Sequence, residues 1–405
     1  MNNVSYVRLK ELCTVNQGLQ IPISKRFRKN GPNRYFYITV QFLKVGHIEK
    51  YFIEKPPISS ICNEDDILVV RTGSTGQILT GIEGCFHNNF FKVNFNKNKI
   101  LGKYLYYCLT TREKQKEIKQ RAGVTVISDL NHFLFLDIKI PLIPLEKQTQ
   151  VVRILDSIFT KIKVNKQINA KLEAMAKTLY EYWFVQFDFP NAEGKPYKST
   201  GGKMVYNEEL KREIPEGWEA KRLQDIAKVK AGGDKPKSIS TSRTNKFKVP
   251  IFSNGTSNDG LYGYTNEAKI NKKSITISAR GTIGYTVLRN EPYYPIIRLI
   301  SVIPKIESTT CFYYYEIKNL VYENSGSVQQ QLTVPQISRL FVIKPKSELV
   351  EKYEAVVSLS HAKIHLNKKQ NQKLAELRDW LLPMLMNGQV TVGEAQDYVH
   401  QARSN

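Results

Sequence analysis

Two stretches of the chain repeat apolar residues at alternating steps of three and four, the pattern of a helix in a coiled coil. The first pattern predicts a helix over 145–187, and the second predicts a helix over 347–388. The seam positions of the first helix are Leu155, Ile158, Ile162, Asn165, Asn169, Leu172, Ala176 and Leu179. We expect the two helices to pair with each other, and the domain between them would make the pair antiparallel.

Four asparagines interrupt these apolar seams. They are Asn165, Asn169, Asn367 and Asn371. A polar residue in a seam lowers stability but disfavours shifted registers, so we predict that the asparagines fix the register of the coiled coil. The alternative is simple surface placement, because an error of one position in the heptad would turn them outward.

The regions before the two helices alternate short β-rich runs with turn residues, which is typical of compact α+β domains. In the first region the pattern predicts strands at 35–40, 67–70, 90–95 and 135–140, with a helix at 103–120. In the second region it predicts strands at 275–278, 296–303 and 340–343, with a helix at 310–322. Proline-containing segments then end the last strand of each region before the long helix begins.

The two halves of the chain repeat each other. RLKELCTVNQG at 8–18 reappears as RLQDIAKVKAG at 222–232, and IKVNKQINAKL at 162–172 aligns with IHLNKKQNQKL at 364–374. Solenoid repeats are only roughly 20 to 50 residues long, so this period indicates duplicated domains. We predict an α+β fold of two pseudo-symmetric globular domains, separated by the antiparallel coiled coil. The predicted segments are a first domain at 1–144, a helix at 145–187, a linker at 188–214, a second domain at 215–346, a helix at 347–388 and a tail at 389–405.

The charge balance narrows the class of partner. The chain has 60 Lys and Arg residues against 37 Asp and Glu residues, a formal net charge of +23. This balance favours a polyanionic partner, while a hydrophobic content of 41% excludes a disordered basic tail. No run approaches the ~18 apolar residues of a membrane span, and MNNVSYVRLKEL lacks a hydrophobic signal region, so we expect a cytoplasmic protein. The five scattered cysteines predict free thiols rather than disulfides or a zinc site.

The sequence lacks the usual motifs of catalysis. The glycine turns RTGSTG at 71–76 and ARGTIG at 279–284 do not end in the Lys-Ser/Thr of a phosphate-binding loop. KPPI at 55–58 lacks both ends of an amino-methyltransferase motif. His361 and His365 are four residues apart but lack the glutamate of HExxH, so we interpret them as a solvated helix face. We predict no catalytic residue and no metal site.

Basic residues mixed with aromatic and amide side chains occur at equivalent places in the two halves. Lys and Arg neutralise phosphates, whereas Arg, Asn and Gln can bond to base edges in the major groove. Simple solvated loops are the alternative, and for the glutamines the two interpretations are equally supported. The candidate DNA contacts are Lys25, Arg26, Arg28, Lys29, Arg34, Tyr35, Arg71, Ser74, Lys235, Lys237, Arg243, Lys246, Asn254, Arg280, Gln329 and Gln330.

Three segments resemble one known family. PLEKQTQVVRILDSIFTKIKVNKQINAKLEAMAKTLYEYWF after 143, GGKMVYNEELKREIPEGWEAKRLQDIA at 201–227 and LRDWLLPMLMNGQV at 377–390 are similar to the specificity subunit of type I restriction-modification systems. The first domain departs from the pattern, because VSYVRLKEL lacks the IPEGW that precedes the second domain.

The resemblance implies a non-catalytic subunit with two target recognition domains, each reading half of a split sequence in double-stranded DNA. It also implies two methyltransferase subunits and restriction/translocase subunits as partners, which would use S-adenosylmethionine, ATP and Mg, while this chain binds no cofactor. The alternatives are a single-chain restriction-modification enzyme, against which the missing motifs argue, and a non-catalytic basic nucleic-acid-binding scaffold.

The ends of the two long helices carry more apolar surface than a two-helix seam can bury. We predict that Tyr182, Trp183, Phe184, Trp380 and Leu385 dock partner subunits. Packing against the chain's own domains is the alternative. A helix of about 35 to 40 residues is roughly 50 to 60 Å long, so we expect half-site centres about 10 to 15 base pairs apart.

Overall fold

The computed structural model describes residues 5–43, 49–123, 129–320 and 331–404. The chain forms two compact units, and the boundaries between them lie inside the two long helices. Unit 1 consists of Met1–Val164 with Lys369–Asn405, and unit 2 is Asn165–Lys368. Each long helix therefore belongs partly to one unit and partly to the other.

Unit 1 contains two four-stranded sheets, in the orders β2-β9-β6-β7 and β4-β3-β8-β5, and a two-stranded sheet of β1 and β10. Its strands are β1 (Ser5–Arg8), β2 (Cys13–Gln17), β3 (Arg34–Ile38), β4 (Phe52–Glu54), β5 (Ile61–Cys62), β6 (Ile67–Val70), β7 (Ile78–Leu79), β8 (Gly84–Phe86), β9 (Phe90–Phe95) and β10 (Lys139–Leu142). Its shorter helices are α1 (Gly102–Thr110), α2 (Arg112–Arg121) and α3 (His132–Leu136). The long helix α4 (Leu145–Tyr180) begins in this unit and continues as a π-helical turn at Glu181–Val185.

Unit 2 repeats this arrangement with β14-β20-β17-β18 as its four-stranded sheet and β16-β15-β19 as a three-stranded sheet. Its strands are β11 (Met204–Asn207), β12 (Arg212–Pro215), β13 (Glu219–Arg222), β14 (Ala227–Ala231), β15 (Val249–Phe252), β16 (Leu261–Thr265), β17 (Ser274–Ile277), β18 (Thr286–Arg289), β19 (Tyr294–Pro295), β20 (Ile300–Pro304) and β21 (Phe341–Lys344). Its helices are α5 (Leu223–Ile226), α6 (Thr310–Lys318), α7 (Val334–Arg339) and the first part of α8 (Ser347–Met386).

The strand pairings confirm that the chain is duplicated. Antiparallel β2–β9 in unit 1 corresponds to β14–β20 in unit 2, and the closing pair β1–β10 corresponds to β13–β21. Even the parallel pair β3–β8 recurs as β15–β19. The repeated sequences therefore encode the same mixed α+β topology twice.

One glycine is required at the same place in both units. A Cβ atom on Gly18 would lie 2.3 Å from the carbonyl oxygen of Phe86, and one on Gly232 would lie 2.7 Å from the carbonyl carbon of Pro295. Each glycine follows the first strand of its four-stranded sheet, where the backbone crosses a neighbouring strand. Any side chain at either position would force two main chains apart.

The two long helices complete the cores of both units. In unit 1, Leu155 and Ile158 of α4 pack in one core with Leu381 of α8. In unit 2, the core includes Ala176 of α4 and Tyr353 of α8, and the Tyr353 hydroxyl donates to the Ala176 carbonyl at 3.2 Å.

The helix pair within unit 2 is antiparallel. Asn169 on α4 lies beside Asn367 on α8, and further along α4 its residue Ala176 meets the earlier α8 residue Tyr353. Asn367 Nδ2 donates to Asn169 Oδ1 at 2.8 Å. Asn165 and Asn367 are buried, whereas Asn169 and Asn371 are half-buried. These placements are compatible with the predicted role in register, which stays a prediction.

Two buried glutamates join the helices of unit 2 to one another, and one of them also joins them to a strand. Glu316 on α6 accepts hydrogen bonds from the Tyr180 hydroxyl and, at 3.0 Å, from the backbone N–H of Ile343. Glu354 on α8 accepts from the N–H of Phe312 at 2.8 Å, which satisfies a free donor in the first turn of α6. Burial raises the pKa of both carboxyl groups.

Several predicted elements need correction. The predicted strand at 135–140 is divided between α3, whose N-cap is the Asn131 side chain, and β10. The predicted strand at 296–303 begins only at Ile300, because Ile297 and Arg298 have φ values of 52° and 59°. The predicted helix at 103–120 is two helices, and Thr111 between them caps the second. The predicted helix at 310–322 ends earlier, at Lys318, and residues 321 and 322 lie outside the described residues.

The segments predicted as a linker and a tail contain regular structure. Phe189 stacks on Tyr197 and Trp218, at centroid distances of 4.7 and 5.2 Å, and β11 and β12 form a hairpin inside the linker range. The tail contains α9 (Val392–Ser404), and its residues Ala395 and Val399 enter the core of unit 1. The apolar side chains in both segments were too widely spaced in sequence to show this packing.

All five cysteines are buried free thiols. Burial raises the pKa of Cys85 to about 11 and that of each of the others to about 12; these are Cys13, Cys62, Cys108 and Cys311. Membrane-spanning length and apolarity do not occur together in any helix of the described ranges.

His361 was expected on a solvated helix face, and that interpretation is wrong. The side chain is only 5% exposed, with its Nε2 3.2 Å from the Tyr315 hydroxyl. Burial lowers the pKa of His361 to about 4, so the folded protein holds the ring neutral where an unfolded chain would protonate it.

This burial predicts a loss of stability between pH 6.5 and pH 4. The unfolded state binds the extra proton in that window, so the free energy of unfolding should fall by about 2 kcal/mol at pH 5 through His361 alone. Denaturant unfolding, followed by the fluorescence of Trp183 and Trp218, should show that loss in the native protein and not in His361→Gln.

Tyr315→Phe is the matched control, because it removes the hydrogen bond but leaves the titrating ring. Its pH dependence should remain native. The buried glutamates titrate in all three proteins, so their contribution cancels in the comparison. Equal slopes in His361→Gln and the native protein would contradict the prediction.

Candidate nucleic-acid interface

The two glycine turns have the same backbone geometry in both units. The N–H of Gly76 donates to the carbonyl of Val70 at 2.8 Å, and the N–H of Gly284 donates to the carbonyl of Ser278 at 2.9 Å. Gly73 in the first turn and Gly281 in the second have φ values of 94° and 70°, a conformation that glycine adopts without strain. The turns lack the sequence of a nucleotide site and serve as rigid connections between adjacent strands.

In each unit, an arginine of the glycine turn hydrogen-bonds to the loop that precedes the last short helix and the last strand of that unit. In unit 1, Arg71 makes two hydrogen bonds to Asp129, at 2.6 and 2.7 Å. In unit 2, Arg280 makes two to Gln331 Oε1, at 3.0 and 2.7 Å. The hydrogen bonds from Arg71 keep the pKa of Asp129 below its ordinary value. Both arginines were predicted as DNA contacts, which stays a prediction, and in this structure their side chains also hold the loop against the turn.

The first basic loop, at 25–34, contains two groups of cations. Some contact aromatic rings and oxygen atoms of the same unit, and others are exposed. Arg26 donates to the Ile21 carbonyl at 2.8 Å and lies 5.0 Å from the Tyr37 ring centroid. Arg34 lies 3.5 Å from the Phe27 ring centroid and contacts the Glu54 carboxylate at 3.4 Å. These contacts hold the loop in shape.

Three other cations of this loop face solvent. Lys25, Arg28 and Lys29 are exposed and, within the described part of the chain, form no ion pair. Tyr35 is half-buried on β3, and Ser74 is exposed in the neighbouring glycine turn. The loop therefore carries positive charges that no carboxylate of the described residues neutralises. Contacts between its other arginines and aromatic rings hold it in shape.

The second basic loop, at 235–248, also contains cations that contact aromatic rings and cations that are exposed. Lys235 donates to the Tyr262 hydroxyl and lies 4.4 Å from its ring centroid. Lys246 lies 5.6 Å from the Phe247 ring, and Arg243 is 3.9 Å from the Glu291 carboxylate. Lys237 is exposed.

Asn254 was predicted to contact DNA, and the structure gives it a different role. Its Oδ1 accepts from the N–H of Ala279 at 2.8 Å, and its Nδ2 donates to the carbonyl of Ile297 at 2.6 Å. Both ends of the amide are used to hold the glycine turn against the neighbouring loop. Gln329 and Gln330 lie outside the described residues.

The predicted docking residues separate into two groups. Phe184 is buried in the core of unit 2 and Leu385 in the core of unit 1, so the prediction is wrong for these two, and Trp183 packs partly against the unit 2 core. Tyr182 is 38% exposed and Trp380 is 41% exposed. The ring of Trp380 meets Tyr398 of α9 edge to face, at 5.1 Å.

A buried arginine that the sequence pattern did not indicate shapes unit 2. Arg289 is 3.6 Å from the Phe252 ring centroid and donates to Thr276 Oγ1 at 2.9 Å and to the carbonyl of Asp259 at 2.6 Å. Burial lowers its pKa to about 10. The Asp259 carboxylate in turn binds Lys368 of α8 at 2.6 Å. A single charged residue in a strand pattern does not reveal from the sequence that its side chain is buried or what it contacts.

A second group that sequence analysis missed is a row of cations on α2, namely Arg112, Lys116 and Lys119, all exposed. The sequence had indicated only a helix there. No group of three or more His, Cys, Asp or Glu side chains suited to a metal ion occurs in the ranges that the structure describes.

Comparisons with known proteins agree with these observations. The chain matches the family described as type I restriction modification DNA specificity domain over residues 1–174 and 215–376. It is 26% identical over 347 residues to the type I restriction enzyme MjaIX specificity subunit of Methanocaldococcus jannaschii, covering 81% of this chain and 78% of the relative. It is 29% identical over 393 residues to a putative type I specificity subunit of Mycoplasma pneumoniae, covering 92% and 97%.

A solved structure shares the fold. The crystal structure of the type I restriction-modification S subunit from M. genitalium superposes with a TM-score of 0.58 at 18% sequence identity. The superposition covers 95% of this chain and 97% of that one.

The arginine brace gives a local prediction. Asp129→Asn should weaken the hydrogen bonds that Arg71 donates to this residue. The free energy of unfolding should fall by about 1 kcal/mol or less, because the pair is partly exposed. Hydrogen exchange should then accelerate at the Leu130 amide, which donates to the Arg71 carbonyl at 3.1 Å. The Leu332 amide makes the equivalent bond in unit 2 and serves as the internal control. Unchanged exchange at Leu130 would show that the ion pair does not hold this loop.

Proposed function

This chain belongs to the type I restriction-modification DNA specificity family, and we propose that it uses its two units to read the two halves of a split target in double-stranded DNA. The observation that carries the proposal is the repeated topology, with a basic loop that contacts aromatic rings and an arginine-held glycine turn in each unit. Two copies of one recognition domain are suited to a target sequence with two parts. The chain itself takes no catalytic step.

The exposed cations supply affinity in this proposal. Lys25, Arg28 and Lys29 of unit 1 and Lys237 of unit 2 are exposed, so their long side chains would be available to DNA phosphates. Such contacts position a protein on the duplex but carry no sequence information themselves. Sequence would be read by neighbouring side chains and by the shape of the DNA, with Arg71 and Arg280 holding the turns that present them.

Partner subunits complete the proposed activity. Two methyltransferase subunits and restriction/translocase subunits would assemble on this chain and use S-adenosylmethionine, ATP and Mg, none of which the chain needs for recognition. The formal charge of +23 suits a subunit whose task is to hold DNA for them. A cytoplasmic location is part of the proposal because the DNA target lies there.

The outer faces of the long helices are the proposed docking surfaces. On α4, the exposed residues Ile168 and Met175 are seven apart, so they lie on one face of the helix, and the exposed Tyr182 follows in the π-helical turn. On α8, Leu359 and Leu366 are spaced in the same way. Met175 on α4 is 67% exposed and Leu359 on α8 is 72% exposed, which are high exposures for large apolar side chains. Methyltransferase subunits covering these stripes would explain the pattern.

Methylation of genomic DNA tests the split target. In cells that contain this chain and its methyltransferase subunits, single-molecule sequencing should reveal one two-part motif, with half-site centres about 10 to 15 base pairs apart. Deleting the gene for the chain, while keeping the methyltransferase, should remove the motif. A continuous motif, or one that survives the deletion, would contradict the proposal.

Substitutions on the helix stripes test the docking surfaces. Met175→Asp and Leu359→Asp place a charge where an apolar contact is proposed, so co-purification of the methyltransferase subunits should be lost. Gln167→Asp, at an exposed polar position of α4, is the matched control and should leave the complex intact. Native thermal stability of the variants would show that the loss is local. Retention of the partner by both variants would reject these surfaces.

A further inference from the structure

A groove in unit 1 lies outside the basic loop that the sequence singled out. The glycine turn forms one wall, with Ser74 and Gln77, and helix α2 forms the other, with Arg112, Lys116 and Lys119. Its volume is about 1130 Å³. This exceeds the roughly 300 to 1,000 Å³ of small-molecule pockets, and half of the lining residues are exposed, among them the three cations, so the groove suits part of an extended ligand.

Helix α2 separates its charges between two faces. On one face, Glu117 pairs with Lys114 at 2.8 Å and with Arg121 at 2.9 Å. On the groove face, Arg112, Lys116 and Lys119 follow at intervals of four and three, so they lie side by side along the helix.

The cations of the groove face are not neutralised. In the part of unit 1 that the structure describes, none of them forms an ion pair with a carboxylate. The helix satisfies its own acidic residue Glu117 elsewhere and leaves three positive charges directed at the groove. Glu113 on α2 is exposed but does not line the groove.

The two walls are fixed to each other. Gln115 Nε2 donates to the carbonyls of Gly76, at 3.1 Å, and Leu109, at 2.8 Å. The buried Ile118 packs so closely on the turn that a Cβ atom on Gly76 would lie 2.6 Å from its Cγ2. The groove therefore keeps its width without a ligand, which reduces the entropy lost on binding.

We propose that this groove binds the phosphate backbone of the duplex DNA that unit 1 recognises, an inference that rests on the function proposed above. Arg112 and Lys119 are seven residues apart on a helix, or about 10 Å, which is the axial length of about three phosphates on one strand at 3.4 Å each. The groove adds affinity and fixes the position of the strand, while sequence is read elsewhere.

The salt dependence of DNA binding tests the groove. Two duplexes are needed, one with the motif read from the methylated genome and one with both half-sites scrambled. For the full chain carrying Lys116→Gln and Lys119→Gln, the slope of log K against log salt concentration should become less negative by about 1.8, or about 0.9 per contact. Affinity should fall by the same factor for both duplexes.

Lys97→Gln with Lys99→Gln is the matched control. It removes the same charge from exposed positions at the opposite end of α1 and should leave the slope native. Arg112→Gln is an independent variant, expected to change the slope by about 0.9, and thermal unfolding of each protein shows that it folds.

The possible outcomes separate the two ideas. If the native chain prefers the motif duplex but the groove variants keep the native slope, the groove is not a phosphate site and the proposed function stands. If the native chain binds neither duplex better than the other, the proposed function fails as well. A selective loss for the motif duplex alone would mean that the lysines read sequence, which also overturns the proposal.

Discussion

Both units depend on the same two helices for their cores. The α4 residues Leu155 and Ile158 are buried in unit 1, while Ala176 and Tyr180 of the same helix are buried in unit 2. Helix α8 divides its residues in the same way. Neither globular region can bury its own apolar face without these helices. The domains therefore cannot fold unless the two helices pack with them.

The structure uses its positive charge for two purposes. Arg71, Arg280 and Arg289 are engaged with oxygen atoms inside their own unit, where planar guanidinium groups hold turns and loops in place. Lysines such as Lys25 and Lys116 lie exposed at the edges of those braced elements. Buried or hydrogen-bonded arginines therefore hold the loops in place, and exposed lysines remain available for the proposed phosphate contacts.

Elements with a strong local pattern could be predicted from sequence. The strands at 67–70 and 90–95 were predicted with the bounds they have, because β-branched and aromatic runs stand there between turn residues. The strand predicted at 135–140 starts too early, because Phe135 and Leu136 belong to the helix that the Asn131 side chain caps. The roles of Arg26 and Asn254 could not be predicted, since their partners Tyr37 and Ala279 are distant in sequence.

The burial of every native cysteine has a practical consequence for solution experiments. Thiols whose pKa is raised to about 11 or 12 contain almost no thiolate at neutral pH, so maleimide reagents would leave them untouched in the folded chain. A cysteine introduced at the surface of each unit would then be the reactive pair. Fluorophores attached there could report the distance between the units, free and on DNA, without replacing any natural residue of the cores.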